Sequence, residues 1–153
     1  MTIGDKLDDI IATRLRDSFA RQGLMAHLGA EMTRIAVGEV TIRLPFRPEL
    51  TQQHGYFHAG GTSAIADSAG GYAAYSMFPE NSEVLTVEFK LNLMNPAQGD
   101  WLEAKGRVIK PGRTLTICQL DVWGVSAEGR VHVATGLQTL FCVQSRPGQQ
   151  RKG

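Results

Sequence analysis

This 153-residue chain lacks an excess of charge of either sign. Sixteen Lys and Arg stand against fifteen Asp and Glu, a formal net charge of +1. Nucleic-acid binding needs a clustered basic face, and this balance gives no broad case for one. Cysteine is scarce: Cys118 and Cys142 are the only two, and they form no CxxC pair. Each lies in an apolar, strand-like run. A reduced, cytoplasmic chain with two core thiols is therefore the simpler reading, with a disulfide between neighbouring strands as the alternative. No segment has the length and apolarity of a membrane span. The start of the chain carries Asp5, Asp8 and Asp9 and no uninterrupted apolar run, so no secretion signal is expected. What is present is ordinary for a globular protein. A hydrophobic fraction of 42% is enough for a sizeable core, and 20% charged residues argue against disorder. The length suits one domain.

Periodicity orders the elements. Leu7, Ile10, Ile11, Leu15 and Phe19 recur at helical steps and predict an amphipathic helix over 5–22, stopped by Gly23. Residues 24–30 read as a turn or loop. A hairpin follows, with strands at 31–37 and 40–46 around Gly38-Glu39. Residues 59–77 predict a helix of very small residues, ended by Pro79. Its four glycines make it a poor helix former, credible only if packing holds it and glycine admits another backbone closely. Four strands are expected at 83–94, 100–110, 113–125 and 131–143. In the first, Leu85, Val87, Phe89, Leu91 and Leu93 share one face and Thr86, Glu88, Lys90 and Asn92 the other. The last alternates through Val131, Val133, Leu137, Thr139 and Phe141. The order implies α+β architecture, one apolar helix covered by an antiparallel sheet. It divides as 1–29 (N-terminal helix and loop), 30–144 (main domain) and 145–153 (a frayed tail).

Asp67 is the only Asp, Glu, Lys or Arg between Glu49 and Glu80. A carboxylate inside a buried helix must be satisfied by partners or used in chemistry. Just upstream, the loop Gln52-Gln53-His54-Gly55-Tyr56-Phe57-His58 leads into Ala59-Gly60-Gly61. Amides at a helix start are unpaired and scarcely shielded here, so an oxyanion could be held there. The alternative is a glycine-rich start kept for packing. Asp67 lies two turns on, about 10 Å from Gly60, too far to share a small reacting centre with that amide. It can meet the helix start of a second subunit, as general base or as nucleophile. The alternative is a structural aspartate bonded to a neighbouring loop. His54, His58 and Asp67 form a workable metal set, but the loop does not assure its geometry, so no metal is expected.

The stretch Gly55-x-x-His58-Ala59-Gly60, with Asp67 nine residues after His58, resembles the hotdog-fold acyl-CoA thioesterases of the phenylacetate-pathway (PaaI-like) branch. Gly55, His58, Gly60 and Asp67 fall in register. Ala59 replaces a glycine, and Gln52 stands where that family carries Asn. The run Val84–Ala97 and the turn Pro111-Gly112-Arg113-Thr114 extend the similarity over roughly residues 30–143. The resemblance implies a curved antiparallel sheet around the central helix, with sites at the interface of a homodimer and often a homotetramer. It implies that the Gly60 amide, assisted by His58, polarises the thioester carbonyl. Asp67 of the partner subunit would activate water or attack directly, while Gln52 and Thr86 orient water or carbonyl.

The substrate would be an acyl-CoA, with no separate cofactor. Arg113 is the best candidate for its phosphates, with Lys90, Arg107 and Lys110, and also Lys105 and Arg146. Tyr56, Phe57, Tyr72, Tyr75, Met77, Phe78 and Leu85 are candidates for an acyl pocket, with core packing as the alternative. Trp101 and Trp123 read as packing or interface residues. Two other functions stay open: a hydratase or dehydratase of enoyl-CoA on the same fold, and an acyl-CoA-binding module without catalysis.

Overall fold

A computed structural model describes residues 1–144; the expected tail at 145–153 and Arg146 lie outside them. Two short helices open the chain, α1 (Asp9–Ala20) and α2 (Gly23–Leu28). The hairpin β1 (Glu31–Ala36) and β2 (Glu39–Pro45) follows, then a single 3-10 turn at Pro48–Leu50 and the long helix α3 (Ala59–Tyr75). The remaining strands are β3 (Ser82–Leu93), β4 (Trp101–Lys110), β5 (Leu115–Ser126) and β6 (Gly129–Gln144). All six strands form one antiparallel sheet in the order β1-β2-β4-β5-β6-β3. The sheet wraps α3, so the expected hotdog architecture is present.

The first helix differs from the sequence expectation. Gly23 starts α2 rather than stopping α1, and the left-handed residue that ends the helical pair is Gly29, at φ 74°. Ile10 projects into solvent while Leu15 is fully buried. Arg14 reaches across to the far end of α3, where its guanidinium donates to the carbonyls of Tyr75, Phe78, Pro79 and Glu80. Those carbonyls lie at and just beyond a helix C-terminus, and a cation suits that end of the dipole.

Helix α3 contains the buried Ile65, Ala66, Ala69, Tyr72, Ala73 and Ala74. It packs on Ile42, Leu44, Leu102, Ala104, Val108, Leu120, Val122 and Leu140 of the sheet. The close approach expected of the helix glycines is made chiefly by a strand glycine. A Cβ on Gly106 of β4 would lie 2.4 Å from the Ala69 carbonyl. Gly60, Gly61 and Gly71 have no backbone neighbour that close; Gly70 does have a tight environment, described below.

Strand β3 departs most from the expected alternation. Its register slips between Thr86 and Glu88, so Thr86 pairs with Leu140 but Glu88 pairs with Thr139. Directly opposed residues share a face, and a bulge reverses the parity beyond it. Val84, Thr86, Phe89 and Leu91 therefore face the helix side, while Leu85 faces outward with Phe141. On β6 the outward set is Leu137, Thr139 and Phe141, and the inward set is Gln138, Leu140 and Cys142.

Candidate active site

The loop before α3 closes on itself through the Thr51–Phe57 bridge and is tied down by Phe57 N–H to Ala97 carbonyl (2.9 Å) and His58 N–H to Leu50 carbonyl (2.8 Å). His58 is thereby set as the N-cap of α3. Its Nδ1 accepts from the Gly60 N–H at 2.7 Å, and its carbonyl accepts from Gly61 at 2.9 Å. The Gly60 amide, expected to face a carbonyl, is thus engaged by the His58 ring. That bond settles the tautomer of the neutral ring, with Nδ1 as acceptor and the hydrogen on Nε2. His58, Ala59 and Gly60 are exposed in the single chain. The Gln52 Oε1 accepts from the His54 N–H within the loop.

A cavity of about 390 Å³ opens beside this helix start. It is lined by Gln52, Tyr56, Phe57, Ala59, Thr62 and the β3–β4 connection Leu93–Ala97. Asp67 is not part of it. Asp67 lines a separate hollow of about 80 Å³ with Gln22, Ser68, Gly71, Tyr72, Val84 and Thr86. The helix start and the carboxylate, read from the sequence as too distant to act together in one chain, do line different hollows.

Around Asp67 the hydrogen bonds are short and convergent. Thr86 donates its hydroxyl to Asp67 Oδ1 at 2.6 Å. Gln138 donates from Nε2 to the same oxygen at 2.6 Å. A hydroxyl has one hydrogen to give, so Thr86 donates to the carboxylate and can meet a water only as an acceptor. The β3 bulge makes this contact possible, because it keeps Thr86 on the helix side while Phe89 and Leu91 still follow on that side. Gln138 was not among the expected site residues. The odd-numbered apolar residues of β6 drew attention, yet Leu137 and Phe141 face outward. The signal was present in the other parity set, where Gln138 is the lone polar side chain among Ala134, Gly136, Leu140 and Cys142.

The remaining candidates separate. Tyr56 and Phe57 line the larger cavity and Tyr72 the smaller. The Tyr72 hydroxyl, hydrogen-bonded to Ser18 and Gln22, has its pKa raised by burial. Tyr75 lies under the Arg14 guanidinium, Met77 lies against Gly38, and Phe78 lines a groove with α1. Leu85, on the outer face, is in neither hollow near α3. Arg113 is exposed in the β4–β5 turn, and Lys90 and Lys110 are also exposed. Lys105 and Arg107 instead flank the buried carboxylate of Glu39, at 3.0 and 3.8 Å. Trp101 is covered by Arg43, and Trp123 stacks on His132 under Arg130, so both are packing residues. Among the described residues no three His, Cys, Asp or Glu converge as metal ligands, and no helix is long and apolar enough to cross a membrane.

Comparison with known proteins agrees with this fold. The model of the thioesterase superfamily matches residues 54–128, which hold the loop, α3 and the β3–β5 strands. A thioesterase family protein from Silicibacter pomeroyi, of known structure, is 44% identical. It superposes with a TM-score of 0.86 over 88% of this chain and 99% of that one. A Halobacterium salinarum protein provisionally named an esterase is 30% identical over 105 residues, 65% of this chain and 69% of its own length. The E. coli PaaI protein of the phenylacetic acid degradation operon shares 16% identity and a TM-score of 0.77 over 88% of this chain and 94% of its own, a likeness of fold. The chain belongs to the thioesterase superfamily and is a hotdog-fold thioester hydrolase.

Proposed function

We propose that the chain hydrolyses small or medium acyl-CoA or aryl-acyl-CoA thioesters to the free acid and CoA, at a site completed by a second copy of itself. The observation that carries this is the fixed Asp67 carboxylate, one oxygen holding two donors, in a hollow apart from the exposed start of α3. In a two-fold dimer the helix start of one subunit would face Asp67 of the other. The thioester carbonyl would accept from His58 Nε2–H, with Gly60 holding the ring in that tautomer. Gly60 itself would join as a donor only by exchanging its bond to His58. Gln52, which lines the cavity beside the helix start, would help orient the water or the carbonyl. Asp67 would take a proton from water as the oxygen attacks the carbonyl carbon; the tetrahedral intermediate then collapses with cleavage of the C–S bond. Direct attack by Asp67 gives a mixed anhydride that water then hydrolyses. Either way the thiolate of CoA leaves without a strong general acid.

The turn carrying Arg113 is the proposed phosphate contact, with Lys90 and Lys110 as further exposed cations; Arg107 is held at Glu39 and fits this role less well. No separate cofactor enters the proposed reaction. The oligomer would be a dimer pairing the open edge of β3, with a tetramer built on the outer sheet face. A reduced compartment such as the cytoplasm suits the two buried, free cysteines. Thiol release measured with a panel of saturated, crotonyl and phenylacetyl CoA esters tests the proposal. Wild type should release thiol, and Asp67→Asn should lose about a hundredfold or more of the rate at unchanged oligomeric state. Hydration of crotonyl-CoA without thiol release would instead establish the hydratase, and binding without turnover the module.

A further inference from the structure

Gln138 is 1% exposed, in the middle of β6. Its Nε2 lies 2.6 Å from Asp67 Oδ1, 3.1 Å from the Asp67 carbonyl oxygen and 3.2 Å from Thr86 Oγ1. Its other end, Oε1, is buried with no hydrogen-bond partner. Room for that end exists because residue 70 is glycine. A Cβ there would come within 1.9 Å of Oε1 and 2.6 Å of Leu120. The opposite amide orientation would set Oε1 against Asp67 Oδ1, acceptor against acceptor, so the contacts fix which way the amide lies. A buried amide oxygen without a donor is unfavourable for folding. Met or Leu would fill the same space without that cost. The amide is better explained by what its nitrogen does than by packing.

We propose that Gln138 is a positioning residue for Asp67. Together with Thr86 it occupies Oδ1, fixes the plane of the carboxylate and leaves Oδ2 as the reacting oxygen. Among the described residues Oδ2 has no protein hydrogen-bond partner. The inference rests on the catalytic reading of Asp67 given above. In the general-base route, the proton taken from water arrives on Oδ2 while Oδ1 keeps both donors. In the nucleophilic route, Oδ2 forms the bond to the carbonyl carbon. In both, a carboxylate free to rotate would present the reacting oxygen in the wrong place for much of the time.

The test compares wild type, Gln138→Met, Gln138→Glu and Asp67→Asn as full-length, purified protein. Thiol release is followed from the CoA ester that wild type turns over best, alongside gel filtration and melting temperature. Gln138→Met keeps the length, loses the donor and removes the orphan oxygen. Its melting temperature should be equal to or above that of wild type, while kcat falls about 10- to 100-fold with KM little changed. A residue that only packs cannot give that opposite movement. Gln138→Glu places a second carboxyl against Asp67, and two such groups share a proton. The acid limb of its kcat profile should move to higher pH, by about one unit or more. Should the Met variant fail to fold, the Glu profile decides.

A Met variant with wild-type kcat overturns the role of Gln138, as does a Glu variant with an unmoved acid limb. If Asp67→Asn is inactive while both Gln138 variants behave as wild type, only Gln138 is misassigned. If Asp67→Asn keeps the full rate, or wild type cleaves no thioester, the reading of Asp67 falls and this inference falls with it.

Discussion

His58 caps α3, and one substitution tests whether its ring also polarises the carbonyl. Its exposed ring caps α3 through Nδ1, and the cap does not use Nε2–H. If Nε2–H is the carbonyl donor, His58→Ala should lower kcat/KM by about a hundredfold and stability by about 1 kcal/mol, seen in steady-state kinetics and urea melts. If the Gly60 amide is the donor, the same variant frees that amide and leaves the rate nearly intact. Cys118 supplies a second prediction. Burial pushes its thiol from 9.0 up to about 12. The folded state then keeps a proton that the unfolded chain releases, so this contribution is whole below pH 9 and declines as pH rises from 9 towards 12. Native protein should show no reaction of Cys118 with a thiol reagent at pH 8, and denaturant should expose it. At this scale the sequence was most informative where a polar residue stood alone. Asp67 could be found because nothing charged lies near it. Gln138 obeys the same rule on a strand, but it was hidden between Leu137 and Thr139, whose outward alternation imitates a core face.

Apart from α2 (Gly23–Leu28), expected as a turn or loop and too short to show a helical period, the elements were legible to within a few residues, because helical and strand periods are strong in this chain. What failed was facing. The bulge after Thr86 inserts one residue and reverses the strand, and nothing in the run Leu85–Leu93 announces it, since apolar residues alternate straight through. Those that end up exposed, Leu85, Val87, Phe89 and Leu93, preserve an alternation that the bulge has divided between two faces. Another feature invisible in local patterns is the clamp from α1. Arg14 was one more charge on an amphipathic helix, yet it joins four carbonyls at and just beyond the end of α3 and lies 4.4 Å from the Tyr75 ring centre. Arg14→Met should cost about 2 kcal/mol, or about 4–8 °C in thermal melting. An unchanged melting temperature would show that water replaces the guanidinium without loss.

For the whole molecule, the described chain leaves two surfaces that a monomer would rarely carry. One is β3, twelve residues long, with its outer edge unpaired. Such an edge invites another strand. The other is an apolar row across three strands, Leu115, Phe141 and Leu85, paired in register on the outer face and extended by Leu137. Leu85→Asp combined with Phe141→Asp should reduce the mass measured by light scattering from a larger assembly to a dimer, with activity retained. Loss of mass to a monomer should instead abolish thiol release, because the two hollows would no longer meet. A wild-type monomer with full activity would contradict the shared site. The missing Cβ at Gly106 has a further consequence. Helix α3, with glycine at 60, 61, 70 and 71, has little stability of its own, and it rests on β4 at backbone distance. As an isolated peptide it should be a random coil by circular dichroism. Inside the protein its central amides should exchange with deuterium only when the entire chain unfolds. The carboxylate it bears would then be assembled all at once or not at all, with no half-open form in which catalysis could fade gradually.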